Sequence, residues 1–361
     1  GYYRPHLPFN APTKYWDLYD RDQIPLASNP DLPADLPVMA INKLSELRGY
    51  DDFRDLVHPT EDSLDEERAR LLRHGYFASV SYVDAQVGKL LNALEDLGLD
   101  DNTIVILWGD HGWKLGEHNS WCKMTNLEID ARVPLILKAP GETLAGSRTS
   151  ALVEFVDIYP TLCDLTGVPA PDDLEGTSAA PLLSDPSRPW KKAAYTQFLR
   201  EGGWVAPDGV EYMGYSVRTD RFRYTEWVEW ETGDLKATEL YDHEVDPLET
   251  TNVSGDENYA GSLQEMAEIL AAGWTAATTV SSCPTTRCGS SLSASTTRTR
   301  SPSAREMRHG TGGRRSPTSR PLPPNCAQVS RRSSPSARTD TRGSARLMDL
   351  ASATFAISTR D

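Results

Sequence analysis

The chain has 361 residues and a formal net charge of −15, enough length for one large domain or two ordinary ones. That charge joins two unlike parts: residues 275–361 carry 14 Arg, no Lys and 4 acidic residues, whereas residues 1–274 carry 23 Lys+Arg against 48 Asp+Glu, so a body near −25 precedes a tail near +10. An acidic body excludes general nucleic-acid binding, which needs basic surface, and no apolar run is long enough to cross a bilayer.

Residues 1–60 are rich in aromatics and in proline, with Pro5, Pro8, Pro12, Pro25, Pro30, Pro33 and Pro37. They predict irregular, turn-rich chain that packs over a larger surface. Ser63-Leu64-Asp65-Glu66 reads as a capping box. Leu72, Tyr76, Val80, Val83, Val87, Leu90, Leu94 and Leu97 then recur at three- and four-residue steps, one face of a long helix. Gly98 supplies its C-terminal stop, and Asp100-Asp101-Asn102 a turn. Residues 103–108 form a continuous apolar run, the kind of strand buried on both faces of a parallel sheet, and residues 133–137 form a second. A helix over about 154–166 and a strand at 195–198 complete an alternation that predicts an α/β sheet flanked by helices over residues 1–208. Short antiparallel strands at 212–217, 221–227 and 239–241, with a helix at 261–270, predict a small α+β subdomain over 209–274. Residues 275–361 are more than half Arg, Ser and Thr and show no apolar period, so they are expected to be disordered. That tail reads alternatively as a basic arm for acidic partners or as a frame-shifted extension. Five cysteines, Cys122, Cys163, Cys283, Cys288 and Cys326, form no spaced framework.

Chemistry concentrates after the strand at 103–108. Asp110 and His111 follow it directly, with Gly109 and Gly112 on either side. In open sheets, ligands bind beyond the carboxyl ends of strands, and glycines there let the chain turn sharply. A carboxylate suits calcium or magnesium, while an imidazole leans toward zinc or another transition metal. The same dipeptide also serves as a helix cap or turn, and a second pair, Asp242-His243, reads as such a turn. Around the first pair, Trp113, Lys114, Gly116, Glu117, His118, Trp121 and Lys123 are dense enough to predict a polar pocket. Lys123 offers a compact positive charge for a sulfate or phosphate oxygen; the plainer reading is a solvated surface lysine.

Several segments in order resemble the sulfatase family of the alkaline-phosphatase superfamily, nearest to iduronate 2-sulfatase-like members. They are Gly1-Tyr2-Tyr3-Arg4-Pro5-His6-Leu7-Pro8-Phe9, the stretch from Tyr76 to Gly88, the run from Thr103 through Trp113 to Lys123, Val133-Pro134-Leu135-Ile136, Asp157-Ile158-Tyr159-Pro160-Thr161-Leu162, and Leu240-Tyr241-Asp242 with Asp246-Pro247 and Glu249. The resemblance spans roughly residues 1–274. It implies an alkaline-phosphatase-like mixed sheet. It makes Asp110 and His111 ligands of a calcium ion, with magnesium or another divalent ion as alternatives. It places Lys123 and His6 on the sulfate and the leaving oxygen of a sulfated small molecule or sugar, with catalytic as well as binding roles. It implies no nucleic-acid or membrane partner, leaves oligomeric state open, and makes a periplasmic, secreted or lysosomal location plausible. Read from its own surroundings, His6 is as well explained by packing between prolines.

Family members also use a formylglycine, made within a Cys/Ser-x-Pro/Ala-x-Arg motif, and an upstream pair of aspartates. Neither is placed in this sequence. The near-matches Cys283-Pro284-Thr285-Thr286-Arg287, Ser301-Pro302-Ser303-Ala304-Arg305 and Ser334-Pro335-Ser336-Ala337-Arg338 each fail at the third position. The expectation is a sulfuric ester hydrolase seen as a C-terminal portion, inactive by itself. The alternatives are a phosphoester or phosphonate hydrolase of the same superfamily, or a non-catalytic anion-binding remnant.

Overall fold

The proline-rich start runs through single helical turns, as its missing backbone donors require. Helix α1 (Thr13–Trp16) is followed by 3-10 turns at Arg21–Gln23, Val38–Ala40, Leu47–Gly49 and Asp51–Phe53. These segments hold together through side chains: Leu7, Leu44, Leu47, Phe53 and Leu56 share one buried cluster with Ala69 and Leu72 of the long helix α2 (Glu66–Asp96). Each such leucine, fully withdrawn from water, contributes about 1.5–3 kcal/mol. The computed structural model describes residues 1–201, 206, 208–277 and 355–357.

The cap of α2 differs from the expected box. Asp65, not Ser63, is the N-cap; its carboxylate accepts from the Arg68 backbone N–H at 2.9 Å. Ser63 donates its own N–H to Asp62 instead. The helix ends as expected, with Gly98 in the left-handed region at φ 63°. Its apolar stripe divides in two. Residues from Ala69 to Ser79 include the buried positions, whereas Val80, Leu90 and Leu97 are exposed, Leu97 at 70%. Between them, Val83, Val87 and Leu94 of the same face are half-buried.

The run at 103–108 gives strand β1 (Val105–Trp108). A hairpin of β2 (Lys114–Leu115) and β3 (Trp121–Cys122), the single turn α3 (Glu128–Ala131) and strand β4 (Leu135–Lys138) follow. The next elements are β5 (Arg148–Thr149), α4 (Ile158–Thr166) and α5 (Ala180–Ser184). The expectation for β1 is corrected on two points. It pairs antiparallel with β4, from Val105 opposite Lys138 to Trp108 opposite Leu135, and it is half-buried rather than covered on both faces. Strand β10 (Phe355–Ile357) lies antiparallel to β4 and parallel to β5, so the sheet order is β1-β4-β10-β5 and the sheet is mixed, as expected. One face is covered by α5, whose Leu182 and Leu183 pack with Leu137, Ile104 and Ile106.

A second sheet is wholly antiparallel: β6 (Ala194–Arg200), β7 (Tyr212–Arg218), β8 (Phe222–Glu229) and β9 (Leu235–Asp242). The strand expected at 195–198 belongs here, so this sheet begins ahead of residue 209. Helix α6 (Ala260–Ala272), followed by the turn α7 (Trp274–Ala277), covers one face through Met266, Leu263 and Leu270. Met39 and Ala40 pack with Tyr212 and Trp227 in a separate cluster. Arg200 is fully buried and donates to both of their carbonyls, Nε to Met39 at 2.8 Å and Nη2 to Ala40 at 3.0 Å. Burial pulls its guanidinium down to about 10, against the pull of Glu239 and Asp130.

Every described residue lies in one compact unit. The disorder expected for 275–361 therefore falls outside the described residues, apart from 275–277 and 355–357. Cys122 and Cys163 are buried and unbridged, and no described helix is long and apolar enough to cross a membrane.

Candidate active site

Beyond the end of β1 the chain is held against its neighbours by backbone. Gly109 donates to Pro134 O at 3.2 Å and Gly112 to Asp130 O at 2.8 Å. A Cβ on Gly112 would lie 1.9 Å from the Ile129 carbonyl oxygen, so only glycine lets this loop lie on α3. Asp110 projects outward, 88% exposed, with its Oδ2 at 3.7 Å from His111 Nε2. His111 Nδ1 lies 2.8 Å from the Gly112 carbonyl oxygen, which can only accept. In the neutral ring this contact puts the proton on Nδ1 and leaves the lone pair on Nε2, the form a metal requires. An open carboxylate beside a free imidazole lone pair fits half of a divalent-cation site; a calcium ion takes about 6–8 ligands in all.

The β2–β3 hairpin follows, and Lys114, Glu117 and His118 make their closest contacts within the protein. Lys114 is entirely buried and donates to the Asp130 carboxylate and, at 2.6 Å, to Thr125 Oγ1. Arg73 reaches from α2 to the Leu115 carbonyl at 2.8 Å and to Glu117 at 3.3 Å. His118 is buried and lies 2.7 Å from the Leu248 carbonyl. These groups brace the hairpin from inside. Two residues do face the site, Trp113 and Lys123.

Lys123 Nζ lies 2.8 Å from His6 Nε2. The two come from segments 117 residues apart, each next to a core residue: Leu7 beside His6, Cys122 beside Lys123. Burial pushes the Cys122 thiol well up, so it stays protonated and is no nucleophile. A third group completes the cluster. Glu46 Oε1 lies 2.6 Å from Lys123 Nζ and 2.6 Å from His6 Nε2. Its segment also holds the lysine backbone, with Asn42 Nδ2 donating to the Lys123 carbonyl at 2.7 Å. Nothing in the sequence marked Glu46, one acid among many in an irregular stretch; its position follows from the burial of Leu44 and Leu47 on either side.

Trp113 joins the two halves. Its ring lies 6.0 Å from His111, stacked, 5.2 Å from His6, edge-on, and 5.0 Å from Lys123 Nζ. Tyr76 stacks on it at 6.1 Å, and burial pushes the Tyr76 hydroxyl up to about 12. His111, His6 and Lys123 thus gather around one indole, with Asp110 beside His111 and turned outward.

Two other constellations separate from it. Glu128, His243 and Glu249 offer ligand atoms within 4.8 Å of one another, but cations already occupy them. Arg223 pairs with Glu128 and, at 2.8 Å, with Glu249; Arg218 Nη2 donates to His243 Nδ1 at 2.9 Å. A third cation would meet two guanidiniums, so this is an ion-pair network tying α3 to the second sheet. Asp242 likewise pairs with Arg221, which agrees with the turn reading of Asp242-His243. One segment passed over in the sequence does satisfy Ser-x-Pro-x-Arg: Ser184-Asp185-Pro186-Ser187-Arg188. Its serine is exposed at the end of α5, and Leu182 and Leu183 pack at the Ala139 end of β4. That is the end opposite β1's start, away from Asp110, so Ser184 is not placed to serve this site.

Comparison with known proteins follows the same division. A family model described as Sulfatase matches residues 1–168, and one described as N-sulphoglucosamine sulphohydrolase, C-terminal, matches residues 116–274. Iduronate 2-sulfatase of Mus musculus is 34% identical over 325 residues, covering 74% of this chain and 59% of the relative. The chain thus spans somewhat over half the length of that relative. A solved structure in complex with its substrate D-glucosamine-2-N,6-O-disulfate aligns at TM-score 0.63 with 25% identity, over 74% of this chain and 63% of the other. A phosphonate monoester hydrolase from Silicibacter pomeroyi aligns at TM-score 0.62 with 26% identity, over 76% of this chain and 55% of the other.

Proposed function

Because this chain belongs to the sulfatase family, we propose that it forms part of a sulfuric ester hydrolase acting on a sulfated sugar. The observation that carries this is the gathering of Lys123, His6 and His111 around Trp113, with Asp110 beside His111. Lys123 Nζ and His6 Nε2 lie within 2.8 Å of each other, and the ammonium together with the charged form of the ring offers N–H groups to two oxygens of one sulfate. Lys123 binds a sulfate oxygen and the bridging oxygen, and His6 moves a proton at that bridging oxygen. Asp110 and His111 would hold a calcium ion, which supplies Lewis-acid charge and a template for in-line displacement. The nucleophile, a formylglycine by family resemblance, is not assigned to any residue here.

The relatives support a sulfated sugar as substrate: one is an iduronate 2-sulfatase, and one neighbour binds a disulfated glucosamine. The neighbouring phosphonate monoester hydrolase keeps a second reading open, since a lysine and a histidine grip a phosphoryl oxygen as readily. Assaying the polypeptide that contains this chain on matched sulfate and phosphonate esters separates the two. The sulfatase reading expects kcat/KM on the sulfate ester to be higher, and Lys123→Ala to reduce it by roughly 100-fold or more, about 3 kcal/mol of transition-state stabilisation. Faster cleavage of the phosphonate would overturn it.

A further inference from the structure

Glu46 makes both of its close contacts through one oxygen. Oε1 meets Lys123 Nζ and His6 Nε2, each at 2.6 Å, while Oε2 is buried without a hydrogen-bond partner among the described residues. An unsatisfied buried carboxylate oxygen is costly to keep. The charge of this side chain, 16% exposed beside a lysine at 18% and a histidine at 25%, is therefore directed at those two neighbours.

The other ring nitrogen of His6 fixes what Nε2 can do. Nδ1 lies 2.8 Å from the Leu7 carbonyl oxygen, which only accepts, so Nδ1 keeps its proton in both charge states of the ring. Nε2 is then a lone pair when the ring is neutral and an N–H when it is charged. The neutral ring has a hydrogen-bond donor in Lys123; the charged ring has an ion-pair partner in Glu46 Oε1 at 2.6 Å. Nε2 of His6 thus has a partner on either side of a proton exchange. Its remaining neighbours offer no alternative at that atom. The Tyr3 and Trp113 rings lie 5.0 and 5.2 Å away from its ring, and Arg4 bonds its carbonyl oxygen.

We propose that Glu46 is a positioning residue for ester cleavage, holding His6 in the proton-bearing state from which it protonates the leaving alcohol. The inference rests on the hydrolase reading above. As the entering oxygen nucleophile forms its bond to sulfur, the bond from sulfur to the sugar oxygen breaks and its electron pair goes to that oxygen. The oxygen takes the proton from His6 Nε2. The lone pair freed on Nε2 accepts from Lys123 Nζ–H, and Glu46 keeps its hydrogen bond to the lysine.

The test uses two sulfate esters in the whole polypeptide, an unactivated sugar sulfate and nitrophenyl sulfate, whose leaving group needs no proton. Glu46→Gln preserves shape and removes charge. It is expected to lower kcat on the sugar sulfate by roughly 10- to 100-fold, part of what a positioned acid contributes. KM on that ester, and kcat on nitrophenyl sulfate, are expected to move by less than about 3-fold. In a His6→Gln background, Glu46→Gln should add less than about 3-fold, because the two act through one proton. Equal losses on both esters would show a purely structural role and overturn the proposal, as would an unchanged rate on the sugar ester. Should Glu46→Gln fail to fold, Glu46→Asp carries the same comparison, its shorter reach giving a smaller loss confined to the sugar ester. A wild type that cleaves neither ester refutes the hydrolase reading itself; one that cleaves both makes the variants a test of Glu46 alone.

Discussion

Replacing Lys114 with methionine tests whether the hairpin carrying Lys123 is fixed by a buried charge pair. Lys114 is 0% exposed, and its ammonium donates to Asp130, itself 5% exposed. Asp130 Oδ2 also accepts from Thr125 N at 2.9 Å and Thr125 Oγ1 at 2.6 Å, while Oδ1 is buried with no donor. Burial pulls the lysine's pKa down, opposed by Asp130. Methionine fills similar volume without charge, so what remains is a buried carboxylate held by one residue. Breaking a buried pair from one side costs about 3–5 kcal/mol. At about 2–4 °C per kcal/mol for a body of this size, the thermal midpoint should fall by roughly 6–20 °C. Adding Asp130→Asn removes the stranded charge yet keeps an acceptor for Thr125, so the double variant should recover at least half of the loss. Differential scanning calorimetry on the three variants and wild type reads this directly. A midpoint for Lys114→Met within about 2 °C of wild type, or no recovery in the double variant, would refute the bracing role.

Two further outcomes follow from the same loop. Burial raises the Glu128 carboxyl but Arg223 and Arg218 overcome it and hold it down to about 2, below the usual 4.5. A depressed acid stabilises the fold above its unfolded pKa, so this stability is present above about pH 4.5 and drains away toward pH 2; acid denaturation followed by circular dichroism should show a shallower loss in that window for Glu128→Gln, from a lower starting stability. Gly112→Ala places its Cβ against the Ile129 carbonyl, 1.9 Å away, so the loop bearing Asp110 and His111 must part from α3; calorimetry should show a loss of roughly 1–3 kcal/mol or more, as overpacking typically costs, and a wild-type melt would mean that the loop shifts freely.

The legible parts of this chain were those that local pattern dictates. The stripe from Leu72 to Leu97 announced α2, and the apolar run ending at Trp108 announced β1 with the dipeptide after it. Two things were out of reach of local pattern. One was strand partnership: an apolar run does not encode direction, so β1 read as parallel although it pairs antiparallel with β4, and the strand Ala194–Arg200 was assigned to the first sheet although it pairs with β7. The other was the fate of a charged side chain. Lys114 and Lys123 are nine residues apart in one loop and look alike in sequence, yet one is sealed against Asp130 and the other faces His6. What separates them is the β2–β3 pairing of Lys114 with Cys122, which leaves Lys123 just past the hairpin while Lys114 is drawn beneath it.

That distinction bears on how an acidic body accommodates an anion. With residues 1–274 near −25, long-range attraction does not steer a sulfate here, and the local arrangement must supply the attraction. Most of the cations that could help are spent elsewhere: Lys114 on Asp130, Arg73 on Glu117, Arg218 and Arg223 on Glu128 and Glu249. Lys123 shares its partner with His6, since Glu46 Oε1 divides one negative charge between the lysine and the ring. When the imidazole is charged the trio carries a net +1, and when it is neutral the trio carries none. If the trio binds the sulfate as proposed, anion binding would be coupled to the proton on His6, and the carboxylate that lowers the local positive charge would be the one that holds that proton.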